Sequence, residues 1–199
     1  MKRLIVGITG ATGAIFGIRL LEALKNTEVE THLVLSKWAI QTIEHETTYT
    51  LKQVRALATL DHSEGNMGAT ISSGSFVTEG MVVVPCSMRS LAAIAHGTGD
   101  HLIHRAADVI LKERRKLVLV TREMPLSDVH LENMLKLSRM GVTIMPPMPA
   151  FYNRPTSLDD MIDHVVARIL DQFGVPAEFA RRWNGQMGEK KVAPIQPQT

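Results

Sequence analysis

Short apolar runs alternate along the chain with longer segments of helical periodicity, and this alternation constrains the fold more than any other feature. Five runs rich in β-branched residues lack polar alternation, as strands buried on both faces do: residues 4–8, 31–35, 81–84, 117–120 and 142–145. Helical patterns cover residues 14–25, 37–46, 50–58, 87–96, 101–114, 127–139 and 158–173. This order predicts a three-layer α/β protein with a doubly wound parallel sheet.

The length and composition are those of a single enzyme domain. The chain has 199 residues, of which 45% are apolar, enough for one sizeable core. We expect this domain over residues 1–185 and a loose tail over residues 186–199. The net charge of +2 and the 5% aromatic content give no sign of nucleic-acid binding. No signal peptide or membrane span is visible, so we expect a cytoplasmic protein with no membrane partner.

Ligands of such sheets bind beyond the carboxyl ends of the strands, so the residues that follow each predicted strand are the first candidates for chemistry. Hydroxyl and basic side chains are frequent there, at residues 10–12, 36–37, 85–90 and 121–124. This rim suits a phosphate, because helix N-termini offer unpaired N–H groups and a favourable dipole. Ser36 and Ser87 could equally do no more than cap their helices.

The stretch VGITGATGAIFG, residues 6–17, follows the first predicted strand and raises the question of which nucleotide it meets. Its glycines never stand two apart, so the G-x-G-x-x-G spacing of dinucleotide sites is missing. Ser36 and Lys37 stand where an NAD site needs an acidic residue, and Tyr49 and Lys52 lack the Tyr-x-x-x-Lys spacing of short-chain dehydrogenases. The residues favour a mononucleotide, with a plain tight turn as the alternative.

Longer motifs along most of the chain resemble one family. In order they are GITGATGAIFG, LVLSKWA, ISSGSF, VPCSMRSLAAIA, RAADVILKERRKLVLVTREMPLS, MPPMPAFYNRP and RILDQF. These motifs, from residue 1 to about residue 185, resemble the flavin prenyltransferases of the UbiX and Pad1 type. SKWA and HLENMLKLSRMG are also similar to the B subunits of hydroxyarylic acid decarboxylase systems.

The resemblance implies a flavodoxin-like (Rossmann-like) fold, a cofactor and a reaction. Members of the family join a dimethylallyl group from a dimethylallyl phosphate to N5 and C6 of reduced FMN. The product is the prenylated FMN that UbiD-type decarboxylases use. The resemblance also implies a homo-oligomer, with a dodecamer suggested by the family, and no metal. Matched by motif, FMN is expected to contact Gly10, Ala11, Thr12, Ser36, Ser87, Met88, Arg89, Ser90 and Arg122.

The same resemblance assigns the allylic phosphate to basic and aromatic side chains. They are Lys112, Arg122, Tyr152 and Arg168, with Arg105 and Glu123 nearby. In the family this site forms between subunits, so Tyr152 and Arg168 could serve a neighbour's flavin. The tryptophan that corresponds to Trp183 reaches a neighbouring subunit's active site. One chain is therefore not expected to hold a complete site.

The chemistry explains these residue types. A departing phosphate gains negative charge that preorganised Lys and Arg stabilise, so Lys112 is expected to be catalytic. A carboxylate such as Glu123 could relay the proton that leaves flavin C6, with Glu46 as a helper in the same pocket. Without the resemblance, residues 105–115 would be interpreted as an amphipathic helix with solvated basic residues, and Glu123 beside Arg122 as a surface ion pair.

The stretch DDMID suggests a different prenyltransferase chemistry. Asp159, Asp160 and Asp163 match the DDxxD pattern with which other prenyltransferases hold magnesium and a diphosphate. The stretch follows Pro155, so we expect the acids on a first helical turn, where the helix dipole favours them.

Two other patterns receive less weight. His101 and His104 could share a helix face as metal ligands, but no third ligand at suitable spacing is apparent. Cys86 stands at a strand end, yet no histidine lies near it in sequence, so we expect it to pack in the core.

Two other functions stay open. A flavin-dependent cysteine decarboxylase has the same architecture, but those enzymes carry a PASANT-like turn and a P-x-M-N-x-x-M-W segment, where this chain has PCSMRS and REMPLS. A non-catalytic flavoprotein that stores FMN or scaffolds a decarboxylase is the second alternative.

Overall fold

The computed structural model describes residues 2–183 and 185. Within these residues, six parallel strands form one sheet: β1 Lys2–Ile8, β2 Val29–Leu35, β3 Leu60–Ser63, β4 Gly80–Cys86, β5 Lys116–Thr121 and β6 Thr143–Ile144. Seven α-helices accompany them: α1 Ala14–Lys25, α2 Lys37–Glu46, α3 Leu51–Arg55, α4 Met88–His96, α5 Leu102–Lys112, α6 Asp128–Arg139 and α7 Leu158–Gln172.

The strand order β3-β2-β1-β4-β5-β6 places the switch point of the sheet between β1 and β4. The chain builds one half of the sheet from β1 outward to β3 and then returns to the centre to build the other half from β4. Val6 of β1 lies in register with Leu33 of β2 on one side and with Val82 of β4 on the other. The carboxyl ends of β1 and β4 therefore diverge into loops at one edge, where ligands of such sheets bind.

Each face of the sheet has its own apolar core. Leu4 and Val6 of β1 point to a cluster that includes Leu21 of α1 and Val166 of α7. Ile5, the residue between them, points to the opposite cluster with Ile103 of α5, because successive side chains of a strand alternate faces. Both faces are thus covered by helices, and the predicted three-layer fold is confirmed.

Serine hydroxyls begin the helices next to the strand ends. The side chains of Ser36, Ser87, Ser127 and Ser157 each accept a hydrogen bond from the backbone N–H three residues later. Such caps contribute about 1 kcal/mol each, since the first N–H groups of a helix have no partner within it. Ser36 and Ser87 therefore do cap their helices. Both also lie at strand ends, so the capping role does not exclude contact with a ligand.

The structure differs from the sequence predictions in a few places. The predicted helices over residues 14–25 and 37–46 match α1 and α2, whereas the third predicted helix shortens to Leu51–Arg55. The edge strand β3 was missed, because its residues Leu60–Ser63 are largely exposed and have no apolar run. The predicted tail over residues 186–199 lies outside the described residues. Among the described residues, no helix combines the length and apolarity needed to cross a membrane.

Candidate active site

A cavity of about 1180 Å³ lies at the carboxyl edge of the sheet. Its wall is formed by the ends of β1, β2, β3 and β4 and by the residues just before α5, among them Thr9, Ser36, His62, Ser87 and His101. The volume exceeds the roughly 300–1,000 Å³ of pockets for drug-sized ligands, so a mononucleotide has sufficient space. The ligand site predicted at the switch point is thus present as a cavity.

Thr9 connects the two central strand ends below this cavity. Its Oγ1 donates a 2.8 Å hydrogen bond to the carbonyl oxygen of Pro85 and accepts one of 2.8 Å from the N–H of Ser87. Thr9 is buried, so both bonds are shielded from water. They fix the turn that leads into α4 against the loop that follows β1.

A side-chain carboxylate of the protein accepts hydrogen bonds from the start of α1, just after the glycine-rich loop that follows β1. Gly13 adopts a left-handed conformation with φ of 95°, which favours glycine. The Glu46 carboxylate accepts hydrogen bonds from the N–H of Gly13 at 2.8 Å and from that of Ala14 at 3.2 Å. A protein carboxylate therefore occupies the position at the start of α1 that an anion would otherwise take.

The start of α4 is more open to an anion. Ser87 caps the N–H of Ser90, and within residues 2–183 and 185 no protein acceptor faces the N–H groups of Met88 and Arg89. At the start of α2, in contrast, the N–H of Lys37 already donates to a Glu64 carboxylate oxygen at 3.1 Å. The free N–H groups and the helix dipole make the α4 start the best phosphate position of the cavity.

Three histidines in or beside the cavity are held in the neutral form. Burial lowers the pKa of His62, and the nearby His32 lowers it further. Burial is also the main cause that lowers the pKa of His101, and it lowers that of His104 to about 4, with a further contribution from His101. All three side chains therefore offer nitrogen lone pairs at neutral pH.

The structure brings most of the predicted FMN residues together. Gly10, Ser36, Ser87, Arg89 and Ser90 line the cavity. Met88 lies in the same turn, and Ala11 and Thr12 continue the loop after Gly10. Arg122 follows β5, and its N–H donates a 3.1 Å hydrogen bond to the carbonyl oxygen of Cys86 at the end of β4. The predicted residues thus come from one edge of the sheet.

Lys112 and Arg105 do not line this cavity within one chain. Both are on α5, whose 11 residues span about 16 Å. His101, just before α5, lines the cavity, whereas Lys112 ends the helix at the opposite edge and pairs with Glu113. Arg105 donates to the carbonyl oxygen of Ser72 and pairs with Asp108. One chain therefore does not place these two cations at its own cavity.

Tyr152 and Trp183 contact each other beside α7, and Arg168 lies on that helix. The Tyr152 ring contacts Trp183 edge to face, with centroids 5.8 Å apart, and its hydroxyl lies 3.3 Å from His164 Nε2. Arg168 pairs with Asp171 at 2.8 Å. Tyr152 and Trp183 are both about half exposed, so this pair, which does not line the cavity of its own chain, is accessible to another subunit.

The two predicted catalytic carboxylates have different surroundings. Glu46 lies at the end of α2 and is bound to the start of α1. Glu123 is exposed after β5 and accepts a hydrogen bond from the N–H of Met124 at 3.1 Å. No ion pair joins Glu123 to Arg122 in the part of the chain that the structure describes, so the surface-pair alternative is absent there.

The DDMID acids stabilise the start of α7. Asp160 accepts hydrogen bonds from the N–H of Thr156 at 2.7 Å and from its hydroxyl at 2.8 Å. Asp163 accepts one of 2.6 Å from Arg19 of α1. The prediction of acids on a first helical turn is confirmed for Asp159 and Asp160 and is wrong for Asp163, which lies one turn further along α7. Asp160 and Asp163 have protein partners.

Cys86 is fully buried at the end of β4, and burial raises the pKa of its thiol to about 12. The prediction that it packs in the core is confirmed. For His101 and His104 the sequence spacing indicated no third ligand, and in the structure a donor atom of Asp100 lies within 4.8 Å of a donor atom of each.

Several cavity residues were missed in the sequence. His62 and Glu64 come from the end of the missed strand β3, which explains their omission. Trp38 is 70% exposed beside Gly10, and the quoted SKWA motif contained it without suggesting a role. His164, beside Tyr152, had no sequence signal beyond its residue type.

Comparisons with known proteins agree with this geometry. Residues 1–170 match the family model for Flavoprotein. A probable UbiX-like flavin prenyltransferase from Bacillus subtilis is 63% identical over 183 residues, which cover 92% of this chain and 90% of the relative. The chain belongs to the UbiX-like flavin prenyltransferases. The resemblance stated from the motifs is thereby confirmed.

Solved structures of this family have the same fold. A UbiX protein (PadA1) in complex with FMN and dimethylallyl pyrophosphate is 55% identical with a TM-score of 0.92, over 94% of this chain and 99% of that one. A dodecameric FMN-dependent UbiX-like decarboxylase from Escherichia coli O157:H7 is 63% identical with a TM-score of 0.91, over 92% and 100%. In contrast, the cysteine decarboxylase TvaF is 15% identical with a TM-score of 0.64, a likeness of fold alone.

Proposed function

We propose that this UbiX-like flavin prenyltransferase joins a dimethylallyl group from dimethylallyl phosphate to N5 and C6 of reduced FMN. The observation that carries the proposal is the cavity at the switch point, in a chain 53–63% identical to relatives named as flavin prenyltransferases. The identity is far above the 15% to TvaF, which disfavours the cysteine decarboxylase alternative.

The residues of the cavity fit FMN. The open N–H groups of Met88 and Arg89 suit its phosphate, and we infer that this group binds at the start of α4 rather than at that of α1, where Glu46 is already bound. Ser36, Ser87 and Gly10 border the remaining space. Reduced FMN supplies the two nucleophilic atoms of the reaction.

The allylic phosphate is proposed to bind between subunits. Lys112, Arg105, Tyr152, Arg168 and Trp183 lie away from their own chain's cavity, and the relative from Escherichia coli O157:H7 is a dodecamer. We infer that an oligomer, with a dodecamer as the proposed state, brings these side chains to a neighbour's cavity, where Lys and Arg stabilise the departing phosphate.

Proton transfer is proposed for the carboxylates. Glu123 has one hydrogen bond to the backbone and is otherwise exposed, so it is available to accept the proton that leaves C6. Glu46, bound to two N–H groups, is proposed to keep the loop after β1 in place and to assist from there. Arg122, between Cys86 and Glu123, is proposed to contact both ligands.

The product is proposed to serve a UbiD-type decarboxylase in the cytoplasm. A prenylated flavin is a cofactor rather than a final metabolite, so a second enzyme has to take it up. The chain itself is proposed to need no metal, because Lys and Arg supply the positive charge.

The experiment has two parts. Anaerobic incubation with reduced FMN and either dimethylallyl monophosphate or pyrophosphate, followed by mass analysis, should show flavin heavier by one C5H8 unit. An unchanged flavin with tight FMN binding would indicate the scaffold alternative. Tight binding of NADP without binding of FMN in a calorimetric titration would contradict both.

A matched pair of variants tests the phosphate position. Ser87→Asp keeps a good helix cap but places a carboxylate at the start of α4, so FMN affinity should fall at least about tenfold. Ser127→Asp makes the same change at the cap of α6 and should leave FMN affinity unchanged. Equal affinities of the two variants would overturn the assignment.

A further inference from the structure

Asp100, His101 and His104 form a compact cluster where the chain enters α5. One donor atom from each residue lies within 4.8 Å of the others. The two imidazole rings are stacked, with centroids 3.7 Å apart and an angle of 30° between their planes. Asp100 and His101 also line the cavity, so the cluster lies at its rim.

Both imidazoles have a nitrogen atom without a partner. The Nδ1 atoms of His101 and His104 are buried and have no hydrogen bond to any described residue. The His104 side chain is 2% exposed, and its Nδ1 faces Asp100 Oδ1 at 3.5 Å, too far for a hydrogen bond of ordinary length. Buried polar atoms in proteins normally have a partner, so these two nitrogens point to a missing ligand.

The surroundings of His104 keep this nitrogen available. Its Nε2 lies 3.2 Å from Ser90 Oγ, and a proton on Nε2 donated to that oxygen leaves the Nδ1 lone pair free. Histidines that bind metals typically have such an outer partner, which fixes the ring orientation. Asp100 Oδ2 is paired with Arg89 at 3.4 Å, so the other carboxylate oxygen is the one that faces the histidines.

We propose that Asp100, His101 and His104 bind a divalent transition-metal ion of the zinc class. Two imidazole nitrogens and one carboxylate oxygen are donors that suit Zn²⁺, Co²⁺ or Ni²⁺, whereas Mg²⁺ prefers oxygen ligands. Neighbouring ligands of a tetrahedral site lie about 3.3 Å apart. Asp100 is 64% exposed and can move closer. The His101 ring, which is stacked on that of His104, has to turn out of the stack so that both Nδ1 lone pairs point at one ion.

Three protein ligands leave a coordination position open toward the cavity. None of the three is among the residues proposed to bind FMN or the allylic phosphate, although Asp100 pairs with Arg89 and His104 with Ser90, which are predicted to contact FMN. The ion is therefore expected to bind to the protein without FMN. Prenyl transfer is expected to proceed without the ion.

The test uses the full chain, treated with a chelator and then freed of it, without FMN. Titration with Co²⁺ followed by visible absorption, and with Zn²⁺ followed by calorimetry, should show one tight site per chain that Mg²⁺ does not compete for. Asp100→Asn and His101→Asn should each weaken binding at least about a hundredfold, since loss of even an outer partner typically costs 10–100-fold. Ser90→Ala should weaken it about tenfold.

His45→Asn is the matched control, because His45 is an exposed histidine on α2 outside the cluster. Asp100 is exposed and His101 is partly exposed, so both variants should fold, which thermal unfolding followed by circular dichroism checks. Absence of a tight site in the unsubstituted chain would overturn the proposal. Equal affinity of Asp100→Asn, His101→Asn and His45→Asn would overturn it as well.

Discussion

The carboxylate of Glu46 accepts a hydrogen bond of 2.8 Å from the backbone N–H of Gly13, so a side chain of the protein occupies the helix start that the glycine-rich stretch presents. The same oxygen accepts the N–H of Ala14. The end of α2 is thereby tied to the start of α1, and the loop between Thr9 and Gly13 is held at the cavity. VGITGATGAIFG therefore borders the cavity, while the start of α4 offers its N–H groups to a phosphate.

The cap formed by Glu46 predicts a difference between two substitutions. Glu46→Ala should lower the free energy of unfolding by about 1 kcal/mol, because two N–H groups lose their acceptor. Glu46→Gln keeps a carbonyl oxygen and should lose less than about half of that. Denaturant unfolding of both variants measures the difference. Equal stability of the Ala variant and the unsubstituted chain would show that the cap contributes nothing.

Substitution of the basic residues of α5 and α7 should weaken binding of the allylic phosphate and leave binding of FMN largely unchanged. Arg168→Gln or Lys112→Gln should cost about 1.5–3 kcal/mol of allylic phosphate binding, a tenfold to hundredfold loss, with FMN affinity largely kept. Calorimetric titration with each ligand measures both affinities. Lys116→Gln, at the exposed start of β5, is the control and should change neither. An equal loss of affinity for FMN and for the allylic phosphate would show that the assignment is wrong.

Mixed oligomers test whether Arg168 serves a neighbouring chain. Ser87→Asp chains lack a competent cavity, and Arg168→Gln chains lack the cation. Co-expression in equal amounts should restore about a quarter of the prenylation rate if the two residues of one site come from different chains and assort at random. If the co-expressed variants are no faster than each variant alone, both residues of a site come from one chain.

The sequence predicted those parts of the fold that depend on local signals. The ranges of α1 and α2 were predicted to the residue, because apolar periodicity and nearby turn residues mark their ends. The strand β3 has four residues, mostly exposed, and such an edge strand is defined by pairing with β2 rather than by its composition. His62 and Glu64 were missed with it.

The sequence also predicted the part of the candidate site that follows directly from the strand ends. Residues directly after buried strands, such as Ser36 and Ser87, converge because the strands are parallel. Lys112 and the cavity are separated by the length of α5, and residue spacing does not indicate which subunit such a residue serves. Asp100 was missed as a partner of His101 and His104 because it precedes the helix, where helical spacing does not apply.

Burial of Cys86 predicts a pH dependence. Its pKa is raised to about 12, so the fold favours the neutral thiol and loses stability as the thiol of the unfolded chain ionises with rising pH. Between pH 8 and pH 10 the free energy of unfolding should fall by about 1.5–2 kcal/mol relative to Cys86→Ala. Denaturant unfolding at both values measures the difference. A constant difference between the two proteins would contradict this.

Iodoacetamide provides a second readout for Cys86. The folded protein should resist alkylation at pH 8, and the urea-unfolded protein should react readily, because the thiolate is the reactive form. Rapid alkylation of the folded protein would show that the thiol is accessible and ionised.

Two acids of the DDMID stretch already have protein partners, so we predict that turnover needs no divalent metal there. Asp159→Asn and Asp160→Asn should leave the prenylation rate nearly unchanged, since the charge stabilisation comes from Lys and Arg. Asp160→Asn should slightly lower thermal stability, because Asp160 caps Thr156. EDTA should also have no effect on the rate. Loss of prenylation in EDTA that magnesium restores would instead assign the diphosphate to this stretch.

This chain is proposed to make a prenylated flavin and not to decarboxylate an aromatic acid itself, although a 63% identical structure bears the name of a decarboxylase. Decarboxylation needs an electron sink for the carbanion, and unmodified FMN is a poor one. The most direct measurement is carbon dioxide release from 4-hydroxybenzoate or vanillate, by the isolated chain and by a UbiD-type apo-decarboxylase given the chain's small-molecule filtrate. We predict no release by the chain and release by the supplied apo-decarboxylase. Robust release by the isolated chain, or a filtrate that fails to activate the apo-decarboxylase, would contradict the claim.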